Sequence, residues 1–223
     1  MVVSPRSYCG AMTLAQTERL ALCDDALAAG PDASTLDEGW TVADLVAHLY
    51  IRESDPLAAM GIMVPPLAGL TKRHMDAALQ QHGFERLVLL VRNGPGRWSP
   101  MRLPGVDERA NGTEMFIHHE DILRGGGVVP APRELGRGVE DALWGSAGIA
   151  KLVFRRVPVG VVLARSDVSG AELRAKAGTR TVTLVGKPSE LTLYISGRRE
   201  AADVRLVGEP DAVAAFESVR VGM

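Results

Sequence analysis

The sequence predicts two structural parts, a helical bundle followed by a small α+β domain. Apolar residues recur at spacings of three and four over much of residues 12–157, which is typical of amphipathic helices. From residue 158 onward the pattern changes to short β-branched runs separated by Gly, Pro and Ser, which favours strands. The chain has 223 residues and can bury a core without disulfides or metal. We therefore place a domain boundary after residue 157 and expect residues 1–11 to form a flexible extension.

Start and stop signals locate the helices of the first part. A helix over 13–29 places Leu20, Cys23 and Leu27 on one face and ends at Gly30-Pro31. Thr41 and Asp44 form a capping-box pattern at the start of the next helix. The apolar stripe of that helix comprises Val42, Leu45, Val46 and Leu49. Further helices are predicted at about 70–81, 84–92, 108–124 and 133–155.

The second part combines strands with one terminal helix. Strands are predicted at 159–163, 171–177, 181–185, 190–196 and 203–207. Glu209-Pro210 then opens a helix, because proline is favoured in the first helical turn. Val213 and Phe216 form the apolar face of this helix.

The composition excludes several functional classes. With 25 Lys+Arg against 27 Asp+Glu, the net charge of −2 argues against a nucleic-acid partner. No apolar stretch approaches the roughly 18 residues of a membrane span, and no secretory signal begins the chain. Cys9 and Cys23 make no disulfide framework, so we expect a cytoplasmic protein. The oligomeric state stays open between monomer and homodimer.

Three residues could carry metal chemistry. Glu114 and His118 are four apart, so on a helix their side chains lie over one another. His48 borders the apolar stripe of a different helix. If the two helices are neighbours, two imidazoles and one carboxylate meet, which leaves a coordination position open for water or substrate. Zinc fits this set, and Ni²⁺ and Fe²⁺ are alternatives.

A simpler interpretation of the same residues remains. Glu114 and His118 could form a solvated pair, with His48 hydrogen-bonded in the core. His74 and His82 lie on a polar helix and are expected at the surface. His119 points about 100° away from His118, which favours a supporting or packing role over metal ligation. Asp121 shares the face of His118 and could orient a metal-bound water, or pair with Arg124; Glu120 or Asp121 could also serve as a base.

Longer motifs surround these residues and resemble a known family. They are Gly39-Trp40-Thr-Val-Ala-Asp44-Leu-Val-Ala-His48-Leu, then Glu114-x-x-x-His118-x-x-Asp121, and a tail from Gly186 through Arg198-Arg199 to Gly208. Together they resemble the DinB-like, mycothiol-dependent maleylpyruvate isomerase superfamily, in an actinobacterial metal-binding branch. The resemblance implies a DinB four-helix bundle, followed by a small α+β domain similar to sterol-carrier proteins.

The resemblance also implies a chemistry. It assigns zinc to His48, Glu114 and His118, with mycothiol bound to the metal as its thiolate. A divalent cation lowers the pKa of a thiol and makes a nucleophile at neutral pH. This thiolate could add to a double bond and leave after rotation, or stay attached to an electrophile. The expected partners are therefore a low-molecular-weight thiol and a small electrophilic substrate, for an isomerase or an S-transferase.

Other details of the site stay open at this stage. The branch usually has Cys where this chain has Asp37, so no protein thiol is expected beside the metal. Trp40 could line the pocket or act as a hydrophobic staple. Candidate contacts for an anionic substrate or cofactor are Arg52, Arg124, Arg198 and Arg199, and the last two could equally lie in a solvated turn. A non-enzymatic protein that binds metal or a small apolar ligand is a second hypothesis, and a hydrolase using metal-bound hydroxide is a third.

Overall fold

A computed structural model describes residues 12–54, 68–96 and 106–219 of the chain. The expected extension over residues 1–11 lies outside these residues. The helices of the first part are α1 (Leu14–Ala29), α2 (Val42–Ser54), α3 (Ala68–His82), α4 (Phe84–Arg92) and α5 (Val106–Arg124). Helix α1 packs mainly along α5, and α2 packs against α3 and α4. No helix of the described ranges combines the length and hydropathy needed to cross a membrane.

Helix α2 forms as its sequence predicts. Asp44 accepts hydrogen bonds from the Thr41 backbone N–H and hydroxyl, and the Thr41 hydroxyl accepts from the Asp44 N–H at 3.2 Å. This is the reciprocal arrangement of a capping box. The whole predicted stripe (Val42, Leu45, Val46 and Leu49) is buried in the bundle core. Burial of this stripe fixes the rotation of α2, and with it the direction of His48.

The buried face of α1 differs from the prediction. Cys23 is buried as expected, but Leu27 is 45% exposed and Leu20 is only half-buried. The face turned inward carries Leu22, which is fully buried, together with the charged residues Glu18 and Arg19, each at most 4% exposed. Buried charges are tolerated when they are paired, and here the partners come from other parts of the chain. Hydropathy alone predicts that charged residues such as Glu18 and Arg19 face solvent. The predicted buried face of α1 is therefore rotated about the helix axis relative to the observed one.

The predicted helix over 133–155 is interrupted. The structure has α6 (Arg137–Ser146), a 3₁₀ turn (Ala147–Ile149), α7 (Ala150–Val153) and a second 3₁₀ turn (Phe154–Arg156). Gly145 and Gly148 lie at the interruption, where their backbone freedom disfavours a continuous helix. Ala147 and Phe154 pack in the same hydrophobic cluster as the following sheet.

The second part is a four-stranded mixed sheet with two helices. Its strands are β1 (Gly160–Arg165), β2 (Glu172–Lys176), β3 (Thr181–Gly186) and β4 (Arg205–Val207). The strand order is β2-β1-β3-β4, with β1 and β3 parallel and the outer pairs antiparallel. The helices α8 (Pro188–Ile195) and α9 (Pro210–Glu217) both contact β3. The terminal helix is confirmed, with Phe216 fully buried.

The strand predicted at 190–196 is wrong, because this segment is helix α8. Pro188 occupies the first turn, where its missing N–H costs nothing. Every residue of α8 is buried, so the helix lacks the alternation of polar and apolar faces that reveals helical periodicity. A short apolar run of this kind cannot be distinguished from a buried strand by its pattern.

The two parts meet through both apolar and charged contacts. Phe116, Ile117, Leu143 and Leu193 form a buried cluster between α5, α6 and α8. Beside it, the Arg124 guanidinium donates to both oxygens of Glu190 on α8, at 3.1 and 2.8 Å. These contacts seat the second part against the end of α5. The domain boundary after residue 157 stays a prediction.

Candidate metal site

His48 lies on α2 with an imidazole nitrogen that has no partner. The residue is 5% exposed, and its Nδ1 forms no hydrogen bond within the described structure. The Trp40 ring approaches the imidazole edge-on at a centroid distance of 5.1 Å, so Trp40 lines the site. A buried polar atom without a hydrogen bond costs free energy. Such an atom is the expected condition of a metal ligand when no metal is present.

Helix α5 brings Glu114 and His118 to the same place. The His48 and His118 rings lie 5.1 Å apart in an edge-to-face arrangement. On α5, His118 Nε2 is 3.6 Å from Glu114 Oε2, as the i,i+4 spacing requires. Glu114 is the most exposed of the three, with a side chain 34% accessible. The structure thus sets His48 and Glu114 each beside His118, with Glu114 on the more open side. Among the described residues, however, the group whose ligand atoms all lie within 4.8 Å of one another is Asp37, His118 and Asp121, so the predicted ligand set stays a prediction.

Asp121 fixes the orientation of His118. Its Oδ2 lies 2.9 Å from His118 Nδ1, and the carboxylate is fully buried. A carboxylate at Nδ1 keeps the proton on that nitrogen and leaves Nε2 facing Glu114. Metal-binding histidines commonly have such a partner on the second ring nitrogen. The arrangement agrees with the predicted supporting role of Asp121.

Arg198 from the second part of the chain completes this support. Its Nε and Nη2 donate to the two oxygens of Asp121 at 2.9 and 2.8 Å. Its Nη1 donates to the Ser196 carbonyl, and Nη2 also donates to Asp37 Oδ2 at 2.6 Å. Each guanidinium nitrogen is therefore engaged by the protein. In this arrangement Arg198 positions Asp121, and four of its five N–H groups already have acceptors in the protein.

Asp37 is the site residue that sequence reasoning missed. The ligand atoms of Asp37, His118 and Asp121 lie within 4.8 Å of one another, a spacing that a metal could bridge. The Arg198 guanidinium already supplies a cation between the two carboxylates. The loop is held in place by a hydrogen bond from Leu36 N–H to the Asp121 carbonyl at 3.1 Å. A Cβ at Gly125 would lie 2.2 Å from the Ser34 carbonyl oxygen, so glycine allows this close approach.

The electrostatics separate the two histidines. Burial lowers the pKa of His48 to about 3, and the nearby His118 adds to this effect, so His48 is neutral. Burial alone would lower the pKa of His118, but the hydrogen bonds that its ring N–H groups donate to Asp121 and Glu114 outweigh burial and raise the pKa to about 9. Burial opposes ionisation of Glu114, yet His118 and Arg52 hold its pKa near about 2. Without metal, His118 is therefore positively charged at neutral pH, and it lies between the carboxylates of Asp121 and Glu114.

Arg52 is the remaining charged group beside the predicted ligands. It lies one turn after His48 on α2, and its Nε is 3.8 Å from Glu114 Oε2. Its Nη1 also donates to the Asn111 side-chain oxygen. Of the four arginines predicted to contact an anion, Arg52 is the one that borders the open carboxylate side.

The other predicted residues face elsewhere. His119 hydrogen-bonds Glu18 and Asp25 of α1, both at 2.7 Å, so it ties α5 to α1. Glu120 pairs with Arg124 and with Arg133. Both residues thus lie in a charged network away from His48, and supporting or base roles for them at the site lose their geometric basis. Arg124 and Arg199 are likewise turned away, toward Glu190 and toward the Tyr194 ring respectively.

His74 and His82 contribute nothing to this site. Both are half-buried rather than exposed, and His82 packs edge-on against the Tyr50 ring at 5.6 Å. Because His82 belongs to the same bundle and is not a predicted ligand, His82→Ala serves as the control for His48→Ala in the experiments below.

The fold has a known counterpart among solved structures. A crystal structure of the mycothiol-dependent maleylpyruvate isomerase matches with a TM-score of 0.54 and 20% identity, covering 88% of this chain and 91% of that one. A structure of the same enzyme with one histidine replaced by alanine gives a TM-score of 0.56 and 19% identity, with the same coverage. The chain has the fold of this isomerase. The match covers 88% of the chain, which is a larger share than either the bundle or the C-terminal part makes up. The similarity to the isomerase therefore includes both the bundle and the sheet. No family model and no curated protein matches the chain.

Proposed function

We propose that the protein binds a divalent metal, zinc in the first instance, through His48, Glu114 and His118. The proposal rests above all on His48, a buried imidazole with an unpartnered Nδ1, set 5.1 Å from the His118 ring. Two imidazoles and a carboxylate are the donor set of an open catalytic zinc site. The residues present therefore suit the zinc ion that the sequence resemblance implies.

We further propose that the protein uses this site with a low-molecular-weight thiol, mycothiol, as an isomerase or S-transferase acting on a small electrophile. Zinc would lower the pKa of the thiol and so supply a nucleophile at neutral pH. The chain itself would do the positioning. Asp121 holds the Nδ1 proton of His118, Arg198 holds Asp121, and Trp40 excludes water from one side of His48.

The described residues provide no thiol of their own at this site. Cys23 lies on α1, fully buried, with its sulfur 3.6 Å from the Val88 carbonyl oxygen. Burial raises the pKa of the Cys23 thiol to about 11, which suppresses the reactive thiolate. The loop beside the site carries Asp37 instead of a cysteine. Residues 12–54, 68–96 and 106–219 thus supply no thiol for such a reaction, and we propose that the thiol comes from solution.

Arg52 is the residue best placed to recognise an anion. Its guanidinium contacts Glu114, the most exposed of the three predicted ligands, and Asn111, whereas Arg198 holds Asp37 and Asp121 away from that exposed side. A carboxylate of the thiol or of the substrate would find in Arg52 a planar donor that suits it. We therefore assign anion recognition to Arg52 in this proposal.

Calorimetry with mycothiol tests the thiol step. Zinc-loaded wild type and the His82→Ala variant should bind mycothiol, and His48→Ala should not. Product formation is then followed with maleylpyruvate for isomerisation, and with monochlorobimane for S-transfer. Absence of mycothiol binding by the zinc-loaded protein would reject the thiol-dependent function. Thiol-independent ester hydrolysis by the same protein would favour a metal hydrolase instead.

A further inference from the structure

A second pocket lies in the C-terminal part of the chain, formed by elements that do not contribute to the metal site. It is an open groove of about 560 Å³ between α8, α9 and β4. Its walls are Tyr194, Val204, Leu206 and Val213, and its charged lining residues are Arg199, Glu200 and Glu217. This volume falls in the range of about 300–1,000 Å³ that is typical of small-molecule sites.

Arg199 lines this pocket, and two of its donor nitrogens have no acceptor. Its guanidinium carbon sits 5.1 Å from the Tyr194 ring centroid and 5.3 Å from that of Phe216. Its Nη1 donates to the Val219 carbonyl at 3.2 Å. Its Nε and Nη2 are shielded from solvent and have no acceptor within the described structure. A buried charged donor without an acceptor is costly, so this edge lacks a partner that it is shaped to bind.

The unpaired edge of the Arg199 guanidinium, formed by Nε and Nη2, favours a carboxylate as its partner. Nε and Nη2 form one side of the planar guanidinium, and their two N–H groups match the two oxygens of a carboxylate. The protein itself uses this edge twice in the same way. Arg198 binds Asp121 through Nε and Nη2, and Arg165 binds Asp167 through the same pair of atoms. Arg199 differs from both only in having no carboxylate opposite this edge.

The remaining lining of the pocket narrows the ligand class. Valine and leucine side chains favour an apolar body, and Glu200 and Glu217 disfavour a ligand with more than one negative charge. Both glutamates are exposed, and neither forms an ion pair in the part of the chain that the structure describes. A ligand would have to displace neighbouring side chains to reach the shielded guanidinium edge of Arg199.

We propose that this pocket binds a small apolar monocarboxylate, with its carboxylate on Nε and Nη2 of Arg199 and its hydrocarbon against Val204, Leu206 and Val213. This site is separate from the metal site, because Arg198 and Arg199 diverge from one turn, the former to Asp121 and the latter to Tyr194. The proposal does not depend on the proposed metal or thiol chemistry.

Calorimetry with three six-carbon probes tests the proposal on the full chain. Hexanoate carries the carboxylate, hexanamide replaces it by a neutral group, and adipate adds a second charge. We expect hexanoate to bind at least about tenfold more tightly than either of the others, since a charge-assisted bidentate contact is lost or opposed in them. Equal affinity for hexanoate and hexanamide, or no binding of hexanoate, would overturn the proposal.

Matched variants locate the binding. Arg199→Gln should weaken hexanoate binding at least about tenfold, whereas Arg205→Gln, an exposed arginine on β4, should leave it within about twofold. Val213→Phe keeps the charge of Arg199 but fills the pocket, so it should abolish hexanoate binding. This second variant tests the proposal even if Arg199→Gln does not fold. Zinc content should be unchanged in every variant, which separates this site from the metal site. Unaltered hexanoate binding by a folded Arg199→Gln, or by Val213→Phe, would contradict the assignment.

Discussion

Arg198 donates two hydrogen bonds to the Asp121 carboxylate, from Nε to Oδ1 at 2.9 Å and from Nη2 to Oδ2 at 2.8 Å. The two residues come from different parts of the chain, and Asp121 is fully buried. Asp121 in turn holds His118 at 2.9 Å. The orientation of a predicted metal ligand on the bundle is therefore set by an arginine that the second part supplies.

Loss of Arg198 should destabilise the fold. In Arg198→Gln the buried Asp121 carboxylate loses its counter-charge, and we expect a loss of about 3 kcal/mol in the free energy of unfolding. Urea denaturation measures it, and Arg180→Gln is the matched control. Arg180 pairs with Asp211 at an exposed position, where solvent screens the ion pair and its loss should affect the free energy of unfolding much less. Equal effects in the two variants would show that the Arg198–Asp121 pair adds nothing special.

Asp121 should also govern metal affinity. Asp121→Asn weakens the acceptor at His118 Nδ1, and such changes usually lower metal affinity about 10–100-fold. Asp25→Asn makes the same change at the neighbouring His119, whose Nε2 lies 2.7 Å from Asp25. Zinc affinity, measured by competition with a chelating dye, should fall only in Asp121→Asn. A comparable fall in Asp25→Asn would remove the distinction between the two histidines.

Zinc binding should depend on pH through His118. In the metal-free protein the hydrogen bonds to Asp121 and Glu114 raise the pKa of His118 to about 9, so zinc must displace a proton at neutral pH. The apparent zinc affinity should therefore rise about tenfold per pH unit between pH 6 and 8, because one proton competes with the metal. Titrations at pH 6, 7 and 8 give this slope. A flat profile would mean that His118 does not lose a proton to the metal.

Cys23 should be unreactive in the native protein. Burial raises the pKa of the Cys23 thiol to about 11, so its thiolate is scarce at pH 8. In a Cys9→Ser background, we expect the reaction with a disulfide reagent to be at least about 100-fold slower in native protein than in urea, as buried thiols are inert. Equal rates in the two conditions would identify Cys23 as an accessible thiol and weaken the case for a thiol from solution.

Local sequence signals predicted the parts of the fold that local interactions determine. The Thr41–Asp44 capping box and the stripe of α2 need only neighbours within a few residues, and both are present. Glu114 and His118 follow from one helical turn. The proximity of His48 to His118 depends on how α2 lies relative to α5. No local sequence signal predicts that arrangement, and only the resemblance to a known family implied it.

Long-range pairing accounts for what the sequence did not reveal. Asp37 bonds Arg198 across 161 residues, so nothing near either residue in the sequence identifies the pair. The buried face of α1 contains Glu18, whose partners His119 and Arg133 lie 101 and 115 residues further along the chain. Helix α8 is buried on all sides, which removes its helical pattern. In each case the missing information is a tertiary contact.

The metal content of purified protein tests the central claim most directly. Wild type and His82→Ala, prepared without chelator, should each contain about one divalent metal ion per chain, and His48→Ala should contain none. His48→Ala should still fold, because Nδ1 of His48 contributes no hydrogen bond to the described structure. Circular dichroism checks this, and mass spectrometry of the metal gives the stoichiometry. Metal-free wild type, or a folded His48→Ala with its full complement of metal, would contradict the assignment of His48, Glu114 and His118 as the metal site.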